Sequence, residues 1–195
     1  QFTVSRLPCS IPPGASAHSR NCSQADLDLT ASVLQSKALQ NLMAYVNRSR
    51  LTPYANVYGF DEIETDMARE RMGEMFAKAR ELLPGVGTMT CAENVPLTAE
   101  GTRRFNISDM VIYARYFDEG NIASRGPIDV ESLRSAGVTV WFYNADSPYY
   151  PFPNLRLDNP LVDARVLPVM AARVQAEGYL YWGLNIWRSD WLHHF

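Results

Sequence analysis

Apolar residues recur at helical spacing once an irregular first stretch has ended. Residues 1–25 are rich in Pro, Gly and Ser and show no apolar periodicity, which predicts a loop or linker with little chemistry of its own. From Asp26 to the end, residues 26–195, the pattern is that of one globular domain. A first helix that ends near Arg50 is predicted, because apolar residues recur at intervals of four and form one face: Leu34, Ala38, Leu42 and Val46.

Short apolar runs and helical patterns then alternate along the chain. The runs predict five strands, at residues 56–60, 86–91, 109–117, 138–144 and 179–187. Helices are predicted between them, from Asp66 to Leu83, over 129–137 and from Asn159 onward, where Asn159 and Pro160 form a start signal. Pro168 lies inside the last helix pattern and should kink it.

The predicted strands are apolar throughout, as parallel strands covered on both faces should be. Strands that alternate with helices predict a parallel α/β fold. A closed (β/α)8 barrel of the TIM type has eight strands and typically about 250 residues, whereas this chain has 195 residues. Five predicted strands therefore indicate either an open sheet or an incomplete barrel that lacks its first three units.

Charge and composition narrow the class of partner. The formal net charge is −3 and no run of Lys or Arg occurs, which argues against nucleic acid. No stretch approaches the roughly 18 to 20 continuous apolar residues of a membrane span. The cysteines lack the spacing of a zinc site and no cofactor motif is present, so we expect no metal and no cofactor. A disulfide between Cys9 and Cys22, with N-x-S sequons at Asn21, Asn47 and Asn106, would suit a secretory route.

Two pairs of adjacent carboxyl groups follow predicted strands, where parallel sheets place their ligands. Asp61 and Glu62 lie within the motif YGFDEIE, and Asp118 and Glu119 lie in RYFDEG. Either pair offers the two carboxyls that glycosidic bond cleavage uses. The alternative reading of such a pair is a helix N-cap with a first-turn acid. We favour that reading for Asp118 and Glu119, because Gly120 and a polar stretch follow them.

Aromatic residues are concentrated in the last third of the chain. Sugar rings pack their C–H faces on aromatic planes, so aromatics beside carboxyl groups suit a carbohydrate pocket. Trp182 and Trp187 are the pocket candidates, whereas core packing is the better interpretation of Trp141 and Tyr181. Other aromatics of the region are Tyr143, Tyr149 and Tyr150.

The motifs YGFDEIE, WFYN and GYLYWGLNIW, in that order, resemble the catalytic domain of glycoside hydrolase family 123. The resemblance covers about residues 30–190, and YWGLNIW is its most specific part. It also includes the stretch PNLRLDNPLVDARVLP before the last strand. Members of that family are β-N-acetylgalactosaminidases, so the resemblance implies a glycan or glycolipid head group with terminal β-linked N-acetylgalactosamine (GalNAc) as substrate.

The resemblance also implies a substrate-assisted retaining mechanism, in which the 2-acetamido oxygen of the sugar attacks the anomeric carbon. Glu62 would be the general acid/base, and Asp61 would orient the acetamido group. Tyr143 would hydrogen-bond the acetamido carbonyl, and Trp182 would form a pocket wall. Other substrate-binding positions that it suggests are Asn185, Trp187 and Arg165.

The family's adjacent Asp-Glu pair follows its fourth barrel strand, so the resemblance implies strands four to eight here. The chain begins at Gln1 rather than Met, which suits a missing N-terminal half of the barrel. Without that half, the partial sheet has two unpaired edges, which self-association could cover. Two other functional readings stay open: a carbohydrate-binding or structural remnant without turnover, and an open-sheet hydrolase. The second lacks the G-x-S-x-G motif that its nucleophile would require.

Overall fold

A computed structural model of the protein describes residues 24–60, 65–91, 98–117, 128–145, 148–157 and 159–181, together with Gly183. Most of the predicted domain lies within these ranges. Residues 1–23 of the predicted linker, with the proposed Cys9–Cys22 pair, lie outside them.

Five parallel strands form one sheet in chain order: β1 (Asn56–Tyr58), β2 (Gly87–Cys91), β3 (Asp109–Tyr113), β4 (Thr139–Asn144) and β5 (Gly178–Tyr181). The sheet curls into a half-barrel, and one α-helix follows each strand up to β4. The predicted fold class, an incomplete parallel (β/α) barrel, is confirmed. Right-handed crossovers between parallel neighbours require such helices.

Six α-helices lie in the described ranges: α1 (Gln24–Leu34), α2 (Lys37–Arg48), α3 (Asp66–Leu82), α4 (Ala99–Arg104), α5 (Val130–Ser135) and α6 (Asp163–Arg173). Side-chain caps account for several of their starts. Thr65 Oγ1 accepts a hydrogen bond from Ala68 N at 3.1 Å at the start of α3, and Asp129 accepts one from Ser132 N at 2.9 Å at the start of α5. No helix among the described residues has the length and apolar character to cross a membrane.

Several elements differ from the sequence prediction. The single first helix is two helices, because Ser36 adopts an extended backbone and its side chain caps α2 through Leu39 N. Helix α4 was not predicted, although Thr98 caps it in the same way. The strand predicted over 109–117 ends at Tyr113, and a 3-10 helix (Ala114–Phe117) follows.

The last helix begins later than its start signal indicated. Asn159 is not the N-cap of α6, which begins at Asp163; instead Asn159 Nδ2 donates to Asp163 Oδ2 at 2.8 Å. Asn154 N donates to the same oxygen at 3.3 Å. Asp163 therefore ties the preceding loop to the helix start. Pro168 lies within α6, as predicted.

The helices pack against one face of the sheet, which we call the outer face. Side chains of alternate strand residues, such as Met110 and Phe142, point to this face and are fully buried there. Phe76 of α3 and Leu167 of α6 lie against them. The opposite face, here called the inner face, has its own buried cluster, made by Ala145, which follows β4, and by these intervening strand residues: Met89, Cys91, Val111, Tyr113 and Tyr143.

Candidate active site

The carboxyl ends of the five strands form one rim of the half-barrel. In barrels of this type the active site lies at that rim, on the strand ends and the loops that follow them. Of the predicted site residues, the structure describes Tyr143 and Arg165. The other five lie outside the described residues: Asp61, Glu62, Trp182, Asn185 and Trp187. The alternative pair, Asp118 and Glu119, also lies outside them.

The chain reaches the predicted carboxyl pair through Phe60, the last described residue after β1. Phe60 has a positive φ of 57° and is 7% exposed. Its ring packs edge-on against Phe76, with the ring centres 6.2 Å apart. Its carbonyl oxygen accepts a buried hydrogen bond of 2.7 Å from Thr90 Oγ1 of β2. The end of β1 is therefore held both by the sheet and by α3.

An aromatic cluster occupies the inner face near the carboxyl ends of β3 and β4. Tyr113 and Tyr143 are register partners, and their rings meet edge-to-face with centres 4.9 Å apart. The Cζ atom of Arg115 lies 4.7 Å from the centre of the Tyr113 ring and 5.1 Å from that of Tyr116. This cluster places a cation and three phenol rings at the rim.

The structure separates the two predicted residues that it describes. Tyr143 is on the inner face and is 5% exposed. Arg165 is exposed in the first turn of α6, a helix whose buried residues pack on the outer face. Within the described ranges Arg165 makes no side-chain ion pair, and its neighbour Asp163 is the residue that braces the loop.

The loop between β4 and α6 is braced by Asn154, which is 1% exposed. Its Nδ2 donates to the carbonyl oxygens of Ala145 at 3.0 Å and Pro148 at 3.4 Å. Its Oδ1 accepts from Leu155 N at 2.7 Å and from the Tyr181 hydroxyl at 3.2 Å. One amide thus joins the ends of β4 and β5 to the loop, with the half-buried Tyr181 contributing its hydroxyl.

A buried carboxyl group lies at the opposite rim, where the strands begin. Asp109 Oδ2 accepts from Ser108 Oγ at 2.7 Å, and Oδ1 accepts from Trp141 Nε1 at 3.2 Å. Burial raises the pKa of Asp109 above its ordinary value of 3.8; the bonds from Ser108 and Trp141 oppose this, and Glu177 adds to it. Residues at the amino ends of barrel strands serve stability rather than catalysis. We therefore assign Asp109 a structural role.

Asp109 should make the stability of the fold depend on pH. As pH rises from 3.8 toward the higher pKa of the folded state, the unfolded chain loses this proton before the folded chain does. The folded state then binds more protons, so the free energy of unfolding contributed by Asp109 falls as pH rises through this window. Asp109→Asn is expected to remove that slope, as measured by urea unfolding from about pH 4 to 7.

The exposed Glu100 provides the matched control for this measurement. Glu100→Gln also removes one carboxyl group but should keep the slope of the unsubstituted chain. A slope that survives in Asp109→Asn would show that the buried carboxyl is not its source.

Sequence reasoning missed the residues that shape this rim. Asn154 was overlooked because an Asn in a Pro-rich loop has many local uses. A weak signal was available for Arg115 and Tyr116, since they lie near the carboxyl end of a predicted strand. No group of three or more His, Cys, Asp or Glu side chains within the described ranges is arranged to hold a metal ion.

A known protein family matches most of the chain. Residues 36–195 match the family model described as "Glycoside hydrolase 123, catalytic domain". A solved structure, a β-D-glucuronidase of Dictyoglomus thermophilum, is 11% identical with a TM-score of 0.49; the match covers 94% of this chain and 34% of that one. The chain thus spans about a third of the length of that protein. No curated protein sequence matches the chain significantly.

Proposed function

Since the chain belongs to the glycoside hydrolase 123 catalytic-domain family, we propose that it cleaves terminal β-linked N-acetylhexosamine, with a preference for GalNAc. Family membership supports a glycoside hydrolase with a carbohydrate substrate. The activity of this chain, the particular sugar, the mechanism and the residue roles are the proposal.

The proposed reaction is substrate-assisted and retaining. The carbonyl oxygen of the 2-acetamido group attacks the anomeric carbon, and the bond to the leaving oxygen breaks while Glu62 gives that oxygen its proton. Asp61 accepts a hydrogen bond from the acetamido N–H and stabilises the positive charge of the oxazolinium intermediate. Glu62, now ionised, takes a proton from water, whose oxygen opens the intermediate at the anomeric carbon. The product keeps the β configuration and both catalytic residues return to their starting states.

Chain order supports this assignment of Asp61 and Glu62. Strand β1 ends at Tyr58, and the two carboxyls come next in sequence after Phe60. Two adjacent carboxyls also resist double ionisation, which favours a protonated general acid at neutral pH.

The remaining assignments concern substrate binding. Tyr143 is on the inner face beside the aromatic cluster, which supports a phenol contact with the acetamido group. Trp182, Asn185 and Trp187 follow β5 in sequence, so they suit pocket walls at the same rim. Arg165 lies in the first turn of the helix after β4, and helices after barrel strands start at the carboxyl-end rim. Its exposure favours a contact at the entrance rather than in the pocket.

The test is release of 4-nitrophenol from β-GalNAc, β-GlcNAc and β-galactoside substrates. We expect turnover in the order GalNAc, then GlcNAc, and at least about 100-fold less for the galactoside, because it has no acetamido group to supply the nucleophile. A galactoside hydrolysed as fast as the GalNAc compound would contradict substrate assistance. Saturable binding of GalNAc without turnover, by a chain shown to be folded, would favour the carbohydrate-binding reading instead.

A further inference from the structure

Phe60 adopts a backbone conformation that its side chain disfavours, at the residue before the proposed catalytic pair. Its φ of 57° lies in the left-handed region, where the Cβ atom of a non-glycine residue crowds the following carbonyl oxygen. Such residues persist only where their surroundings over-determine them. Phe60 is buried, so solvent contacts do not account for it.

Three contacts hold Phe60 in place. Gly59 N continues the sheet pairing by donating to Met89 O at 3.2 Å. Thr90 Oγ1, which is fully buried, donates to the Phe60 carbonyl oxygen at 2.7 Å. The Phe60 ring fills the outer-face core against Phe76. Backbone and side chain are therefore anchored to different elements, β2 and α3.

The hydrogen bond from Thr90 acts on the peptide group that leads into the catalytic pair. Because a peptide group is planar, fixing its carbonyl oxygen fixes the direction in which the chain leaves Phe60. A small misplacement of catalytic groups can cost about 100-fold in rate, even when the change is made elsewhere. The orientation of this one peptide plane thus affects where the two carboxyl groups that follow it are placed.

We propose that Thr90 and Phe60 are positioning residues for Asp61 and Glu62. The Thr90 hydroxyl holds the Phe60 carbonyl, the left-handed turn redirects the chain at the end of β1, and the buried ring keeps the turn from relaxing. This inference rests on the proposed function, because it assigns the two residues a role in that reaction. Neither touches the substrate.

Thr88 provides a matched control on the same strand. It is also fully buried on the outer face, and its hydroxyl also holds a backbone carbonyl, that of Asn106. That contact is at the amino end of β2, away from the rim. Thr88→Val and Thr90→Val therefore each remove a buried hydroxyl that donates to a backbone carbonyl, at opposite ends of the strand; Thr88 Oγ1 in addition accepts from Ser108 N at 3.2 Å.

The kinetic experiment compares Thr90→Val, Thr90→Ser and Thr88→Val on a β-GalNAc aryl glycoside. We expect Thr90→Val to lower kcat at least about tenfold with KM within about twofold, because positioning acts on the reacting groups. Thr90→Ser keeps the hydroxyl and should stay near the original kcat, as should Thr88→Val. An unchanged kcat in Thr90→Val, or an equal loss in Thr88→Val, overturns the proposal. If Thr90→Val does not fold, Thr90→Ala compared with Thr90→Ser isolates the same hydroxyl.

A second measurement does not depend on turnover. The backbone ¹³C chemical shifts of Phe60 report its left-handed conformation in solution. We expect these chemical shifts to change in Thr90→Val and to remain unchanged in Thr88→Val. Unchanged shifts in Thr90→Val would overturn the proposal, even if the chain hydrolyses no substrate. Shifts that move in a chain without activity would contradict the proposed reaction while supporting the control of the chain path by Thr90.

Discussion

Glu62→Gln is expected to lower the rate of β-GalNAc hydrolysis by about 10²- to 10⁴-fold, the contribution that a positioned general acid/base makes. Gln has nearly the shape of Glu and cannot deliver the proton that the leaving oxygen requires. The change should fall on kcat and kcat/KM together, since the proton transfer occurs only in the transition state. Chromophore release and single-turnover rates measure both quantities.

The acidity of the leaving group separates the two proposed roles. A 4-nitrophenolate leaves with little protonation, so Glu62→Gln should slow this substrate less than a methyl glycoside. Asp61→Asn should slow both substrates by a similar factor, because Asp61 acts on the acetamido group rather than on the leaving oxygen. In the unsubstituted chain, kcat/KM should fall at alkaline pH as the general acid Glu62 loses its proton. Glu62→Gln should abolish this fall.

Glu64, two residues further along the chain, supplies the control substitution. Glu64→Gln makes the same chemical change in the same segment and should leave the rate within about twofold, because the proposed mechanism uses no third carboxyl group. Unchanged rates in both Asp61→Asn and Glu62→Gln would contradict the site assignment. Asp118→Asn and Glu119→Gln would then be the substitutions to make.

Much of the fold was predictable because its strands are short apolar runs separated by helical patterns. A strand covered on both faces is apolar at most of its positions, and that pattern is visible in the sequence. The break between α1 and α2 was not predicted, since Ser36 lies within an apolar repeat that continues on both sides of it. The end of β3 at Tyr113 was missed because the aromatic residues after it also suit a strand.

The location of the candidate site stays a prediction, because Asp61 and Glu62 lie outside the described residues, and the contacts that support this rim were not foreseeable. Carboxyls directly after an apolar strand point to the rim, whatever the details of packing. The left-handed conformation of Phe60 was not foreseeable, because it depends on Thr90, which is 30 residues away. The role of Asn154 depends likewise on contacts with Ala145 and Tyr181 that only the folded chain brings together.

Gly178→Ala is expected to lower the free energy of unfolding by about 3 kcal/mol, which would make it the most destabilising substitution proposed for this protein. Gly178 pairs in register with Trp141, whose ring lies directly on it: a Cβ atom there would be 2.3 Å from Cε3 and 2.4 Å from Cζ3. Carbon atoms pack at about 3.5 to 4.0 Å, so the ring would have to move. It would then lose its hydrogen bond to Asp109, a buried carboxyl for which few other donors are available.

Gly137→Ala separates this steric effect from the ordinary cost of replacing glycine. Gly137 has a φ of 81°, but no atom lies within 4 Å of the position that a Cβ would take, so its substitution should cost only about 1 kcal/mol of backbone strain. Urea unfolding measures the loss of unfolding free energy in both variants.

A double-mutant cycle tests the clash directly. In a Trp141→Leu background the clash is absent, so Gly178→Ala should lower the free energy of unfolding by at most about 1 kcal/mol, and the cycle would record the difference as coupling. If Gly178→Ala lowers the free energy of unfolding equally with and without the Trp141→Leu substitution, Trp141 does not require the glycine.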